Sequence, residues 1–159
     1  MNFSVVHIEK DDENVVLGQS HFIKTVEDLY EAIKNSSPSA KFGIAFCEAS
    51  GKRLIRFDGN DDALTKRAVR NAEKLGAGHV FIIHLRDSFP INIIPHLRGV
   101  PEVLSLFAAT SNSLSVIIGE DGDSRGVIGV LDGDRPLGVE KDEDIKERQE
   151  FLRNIGYKK

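Results

Sequence analysis

Apolar positions recur along this chain in two periods. Alternation over Phe3 to Lys10, with Phe3, Val5 and His7 on one face, predicts a strand. Asp11 to Asn14 is a polar turn, and Val15 to Leu17 predicts a second, short strand. Val26, Leu29, Tyr30 and Ile33 fall at helical spacing and predict a helix from Val26 to Asn35 with Thr25 as its N-cap. Ser36-Ser37-Pro38-Ser39 ends it. Lys41 to Cys47 is apolar on both faces, which predicts a central strand: Phe42, Ile44 and Phe46 point one way, Gly43, Ala45 and Cys47 the other. Leu54 to Phe57 follows as a strand. Leu64, Ala68, Ala72 and Leu75 line a helix from Asp61 to Leu75, with Asn60 as N-cap and Gly76 past its end. Val80 to Leu85 is the most apolar strand. Phe89 onward opens a loop and a short helix limited by Pro95. Val103 to Ala109 fits strand and helix equally. Ser115 to Gly119 and Gly126 to Leu131 predict a hairpin around Asp121-Gly122-Asp123. A last helix runs from Asp142 to Ile155, with Ile145, Leu152 and Ile155 expected inward.

Strands and helices are interspersed. The expected fold is therefore α/β, one compact domain over residues 1–159 with a mixed sheet covered by helices; a two-layer α+β arrangement is the alternative. The order is not a strict βαβ series, which argues against a plain Rossmann fold.

Composition narrows the function classes. With a net charge of −4 and no basic stripe interleaved with aromatics, long nucleic acids are not expected as partners, because their binding draws on many Lys or Arg contacts to phosphate. A single nucleotide needs only a few local cations. Trp is absent, so a base would stack on Phe or pack on aliphatic side chains. No apolar run approaches the ~20 residues of a membrane span. Met1 to Ser4 shows no basic region ahead of an apolar stretch, and Cys47 is the one cysteine, so the expected location is cytoplasmic and no intrachain disulfide can form.

The common nucleotide signatures are missing. There is no GxxxxGK[ST]. Gly76-Ala77-Gly78 begins a GxG, but residue 81 is Phe and the glycines precede a strand. Asp121-Gly122-Asp123 fails as a calcium loop, because Asp132 stands where Glu is needed and Arg125 falls at a ligand position.

His21 is the first candidate for chemistry. An imidazole nitrogen is nucleophilic near neutral pH and can carry a phosphoryl group. Ser20, Lys24 and the amides of Thr25 and Val26 could bond the phosphate oxygens at the positive end of the first helix. The bland alternative is a histidine that orients a loop. His79 stands just after two glycines at the start of the apolar strand, where a ligand can approach; packing or capping is its alternative role. His84, five residues on, points to the opposite face, so the pair cannot share a metal. Glu48 ends its strand on the Phe46 face, where it can bind ribose hydroxyls, hold Mg²⁺ or accept a proton, or simply face water. Asn92 can read an adenine edge or cap a short helix. Arg86 and Arg125 are the cations best placed for phosphate. Cys47 reads as a buried hydrophobe.

GQSHFIKTVEDLYEA, KFGIAFCEASG, GAGH, FPIN and GVIGVLDG occur in that order from Val15 to Tyr157, and together they resemble the adenosine-specific kinase family. The resemblance implies a phosphotransferase that binds adenosine or AMP, takes phosphate from ATP or a related donor, with Mg²⁺ as an optional companion, and works through a phosphorylated histidine. It places that histidine at His21, in GQSH, with His79, in GAGH, as the alternative acceptor. It also implies self-association, a trimer being the first expectation. Two rival functions stay open: a non-catalytic adenine-nucleotide sensor, and a phosphocarrier that serves another protein.

Overall fold

The two-faced apolar strands become the middle of the molecule. The computed structural model describes residues 1–159. The chain runs β1 (Asn2–His7), β2 (Asn14–Ser20), α1 (Thr25–Ser36), β3 (Lys41–Cys47), β4 (Ile55–Gly59), α2 (Asp62–Leu75) and β5 (Val80–Arg86). It continues through α3 (Pro90–Arg98), β6 (Val103–Thr110), β7 (Leu114–Asp121), β8 (Ser124–Asp132) and α4 (Asp142–Asn154). Five strands form one sheet in the order β4-β3-β5-β2-β6, and three form another in the order β1-β7-β8. Every pairing is antiparallel.

The five-stranded sheet has a core on each face. Val16, Phe42, Ile44, Phe46, Phe81 and Ile83 pack with α1 (Val26, Leu29, Ile33) and α3 (Ile93, Leu97). On the other face Val15, Leu17, Ala45 and Ile82 pack with α2 (Ala68, Ala72, Leu75) and with Val116 and Ile118 of the smaller sheet. Both faces are dry, which is why β3 and β5 carry apolar residues at successive positions. Phe42, Phe46 and Phe81 are wholly buried there; truncating such a ring to Ala costs about 3–5 kcal/mol.

Several local expectations need correction. β2 continues beyond Leu17 to Ser20, because pairing with both β5 and β6 satisfies its backbone and because Gly18 makes room for Phe81: a Cβ at position 18 would lie 2.3 Å from the tip of that ring. Thr25 is the first residue of α1, not its cap; Lys24 takes the cap position without a side-chain hydrogen bond. Asp61 caps α2 by accepting from the Leu64 N–H, while Asn60 bonds the backbone of Phe42 and Ala40. Val103 to Thr110 resolves as a strand. The inward face expected of α4 is uncovered: no residue of that helix is buried, Phe151 is 59% exposed, and Leu137 and Val139 just before it are open to solvent. The layered core closes without this arm.

Candidate active site

Antiparallel pairing sets the carboxyl ends of β2 and β3 beside the start of β5. The ladder runs past the strands: Ser20 N–H donates to the His79 carbonyl at 3.0 Å, and His79 N–H donates to the Cys47 carbonyl at 2.7 Å. His21, Glu48 and His79 therefore meet at one end of the sheet. They line a pocket of about 180 Å³, floored by Phe46 and rimmed by Phe22 and Ile23. The two rim residues are 49% and 42% exposed.

The two histidines are held differently. His79 has a left-handed backbone, φ +64°, which costs a non-glycine residue on the order of 1 kcal/mol. Its half-buried ring stacks on Phe46, centroids 6.1 Å apart and planes 12° apart. His21 is exposed. Its backbone N–H donates to the Glu102 carbonyl, and its ring lies nearly parallel to that of Phe22 at 6.5 Å. One histidine is fixed on the pocket floor; the other stands free at the mouth.

Glu48 is engaged within the chain. It accepts from Leu54 N–H at 2.7 Å and from Arg56 at 2.9 Å. The backbone N–H, then Arg56, hold its carboxyl below the usual range. These bonds clamp the turn from Ala49 to Arg53 onto the strand end. Ser20 is buried, and its hydroxyl donates to that of Thr25, which in turn donates to the Phe22 carbonyl. It shapes the His21 turn from beneath and does not line the pocket. The ammonium of Lys24 pairs with Asp28 and lies 3.6 Å from Glu102, again outside the lining. The Asp28 carboxylate raises its pKa. Burial and then Asp28 push the Glu102 carboxyl up.

Arg86 and Asn92 lie elsewhere. β5 is seven residues long, so Arg86 sits roughly 20 Å from His79 at the opposite end of the strand. There Arg86 pairs with Asp12 at 3.1 Å and lies 3.5 Å from Glu13. Asn92 accepts from Phe89 N–H at 3.0 Å and caps α3, the structural alternative already named for it. Arg125 donates to the Leu75 carbonyl and to Glu120, closing the end of α2. Cys47 is buried and its thiol is pushed up to about 11 by burial, so it is inert.

Sequence reasoning missed a buried polar network beyond this site. Glu13, in the polar turn before β2, has a side chain with no exposure. His84 Nδ1 lies 2.9 Å from Glu13 and its Nε2 lies 3.0 Å from Asn71 Nδ2. An amide nitrogen only donates, so Nε2 accepts and Nδ1 carries the proton, which is donated to Glu13. Arg67 completes the set, 2.6 Å from the same carboxylate oxygen. A histidine inside an apolar strand, together with an acidic triplet before β2, was the one signal available.

The sequence profile described as adenosine specific kinase matches residues 6–158. The chain belongs to the adenosine-specific kinase family. The family's name denotes a kinase-like role with adenosine as substrate. Among solved structures, the crystal structure of the PH1918 protein from Pyrococcus horikoshii OT3 superposes with a TM-score of 0.95 at 42% identity, covering 99% of this chain and 98% of that one. No curated protein matches significantly. In this adenosine-specific kinase family member no group of three or more His, Cys, Asp or Glu side chains is placed to hold a metal ion, and no helix is long and apolar enough to cross a membrane.

Proposed function

We propose that the protein phosphorylates adenosine through a phosphohistidine at His21. The observation that carries this reading is the meeting of His21 and His79, far apart in sequence, in one pocket at the strand ends. In the first step a neutral imidazole nitrogen of His21 attacks the terminal phosphorus of ATP or a related donor. An N–P bond forms, the P–O bond to the leaving nucleoside diphosphate breaks, and that oxygen takes the electron pair. The remaining ring proton passes to solvent. In the second step the hydroxyl oxygen of adenosine attacks phosphorus, the N–P bond breaks, and the hydroxyl proton goes to the freed imidazole. His79, fixed on Phe46, donates to the phosphoryl oxygens from the floor and is the alternative acceptor. Phe22 offers its open face to the adenine ring. Lys24, tied to Asp28 and Glu102, anchors the His21 turn to the residue just before β6. Mg²⁺, when present, arrives on the donor's phosphates.

The pocket is smaller than the ~300–1,000 Å³ usual for small-molecule sites. One chain thus covers only the reacting end of a nucleoside. We propose that copies associate, a trimer being the first choice. The C-terminal arm supports this. A 13-residue helix with no buried residue is marginal in water by itself. Apolar Phe3, Val5 and Ile128 on the smaller sheet are likewise exposed. Light scattering should give a multiple of 17.6 kDa for the intact chain and a monomer after removal of residues 137–159, with little change in melting temperature. A monomeric intact chain would end this part of the reading.

The activity is tested by incubating the protein with terminally labelled ATP and then adding adenosine. Acid-labile label should form on the protein and move to AMP, and guanosine should not accept it. Label that stays on the protein points to a phosphocarrier; adenosine binding without label points to a sensor.

A further inference from the structure

A second and larger cavity, about 650 Å³, adjoins the histidine pocket and has no role in the reading above. Glu48 and Ala49 line both, so a single turn of backbone divides them. The wall is thin. Gly78 backs directly onto Ala49, and a Cβ at position 78 would lie 2.9 Å from that of Ala49. Glu48 is neutralised by Arg56 and Arg125 by Glu120. The unpaired charges left on the lining are Lys52 and Arg53 against Asp123. That is a local cationic excess in a chain whose net charge is −4. Arg53 is one of three non-glycine residues with positive φ, at +52°. An arginine gains nothing from that backbone conformation, and glycine would fit it without strain. An exposed cationic residue thus lines the cavity from a backbone held at a conformational cost.

We propose that this cavity is an anion subsite that seats the oligophosphate tail of the phosphoryl donor, with Lys52 and Arg53 as its binding cations. The proposal rests on the phosphohistidine reading and deepens it. A donor laid along the cavity brings its terminal phosphorus over the Glu48–Ala49 wall to the histidines. The N–P bond then forms on the pocket side, and the cleaved diphosphate stays on the cation side, where Lys52 and Arg53 meet the charge that grows on the leaving oxygen. The clamp made by Glu48 holds the turn that carries both cations. Adenosine, which has no phosphate, gains nothing from them. Donor and acceptor are thus separated by charge.

Inorganic tripolyphosphate is the probe, titrated by calorimetry. Wild type should bind it, and Lys52→Ala and Arg53→Gly should each weaken it about tenfold or more, leaving adenosine affinity unchanged. Arg53→Gly relieves backbone strain, so its melting temperature should hold or rise, which excludes unfolding as the cause. His21→Ala should keep tripolyphosphate binding, so failure of the histidine assignment is read separately from failure of the subsite. No tripolyphosphate binding by wild type, or equal affinity in the Lys52→Ala/Arg53→Gly double variant, would overturn the proposal.

Discussion

His21→Ala is expected to abolish acid-labile phosphorylation and to lower phosphoryl transfer to adenosine on the order of a thousandfold or more. The side chain is exposed and packs only along Phe22, so stability should change by no more than about 0.5 kcal/mol. Loss of the covalent label without loss of fold is what a phosphate-carrying nucleophile predicts. The comparison is His79→Asn, because Asn tolerates a left-handed backbone and an alanine there would be strained. If His79 acts from the pocket floor, His79→Asn should slow transfer yet still become labelled. Label retained in full by His21→Ala refutes the assignment, and label lost only in His79→Asn moves the carrier to that residue.

Glu13→Ala should produce the largest loss of stability. The variant removes the acceptor shared by His84 and Arg67 and leaves the guanidinium, 15% exposed, with only the exposed Asp11 carboxylate at 2.7 Å as counter-charge. Breaking one side of a buried pair costs about 3–5 kcal/mol. For a domain of this size that lowers the melting temperature by roughly 10 °C. The network also sets a pH dependence. Burial pushes the Glu13 carboxyl up, but hydrogen bonds from His84 and Arg67 outweigh it and hold the group well below its ordinary 4.5. Its contribution is complete above 4.5 and fades as pH falls further. Burial lowers the His84 pKa below 6.5, only partly opposed by Glu13. The unfolded chain therefore takes up a proton near pH 6.5 that the folded chain refuses. The unfolding free energy from urea titrations should be flat above pH 7 and fall below 6.5 by up to about 1.4 kcal/mol per pH unit, steepening below 4.5. His84→Gln should flatten the upper part of that fall. An unchanged profile, or a Glu13→Ala variant as stable as wild type, would show that the network is not a structural keystone.

Glu48 illustrates the limit of one-dimensional reading. Alternation along β3 sets it on the Phe46 face and at a strand end, and it is found there, lining the pocket. Nothing in that alternation reveals that Arg56, eight residues on, would take one of its oxygens and a backbone N–H the other. Asn92 differs: the sequence left it between reading an adenine edge and capping a short helix, and the cap is what forms. Arg86 and His79 are both strand-end residues and look equivalent on paper. They bracket the same strand, so one end of the sheet takes His79 and the other takes Arg86.

The sequence by itself determined the family, through ordered motif blocks, and most of the elements, through apolar periods that only a two-faced core could satisfy. It determined Cys47 as a buried hydrophobe, for the same reason. The tertiary structure decided which strand ends meet and which charges are already spent. Strand order and register arise from side chains packing on both faces at once, and ion pairs such as Arg67 with Glu13 join groups 54 residues apart. Neither leaves a trace in spacing along the chain. The uncovered α4 has the same cause: its apolar positions predicted a buried face, and only the tertiary packing shows that both cores close without it.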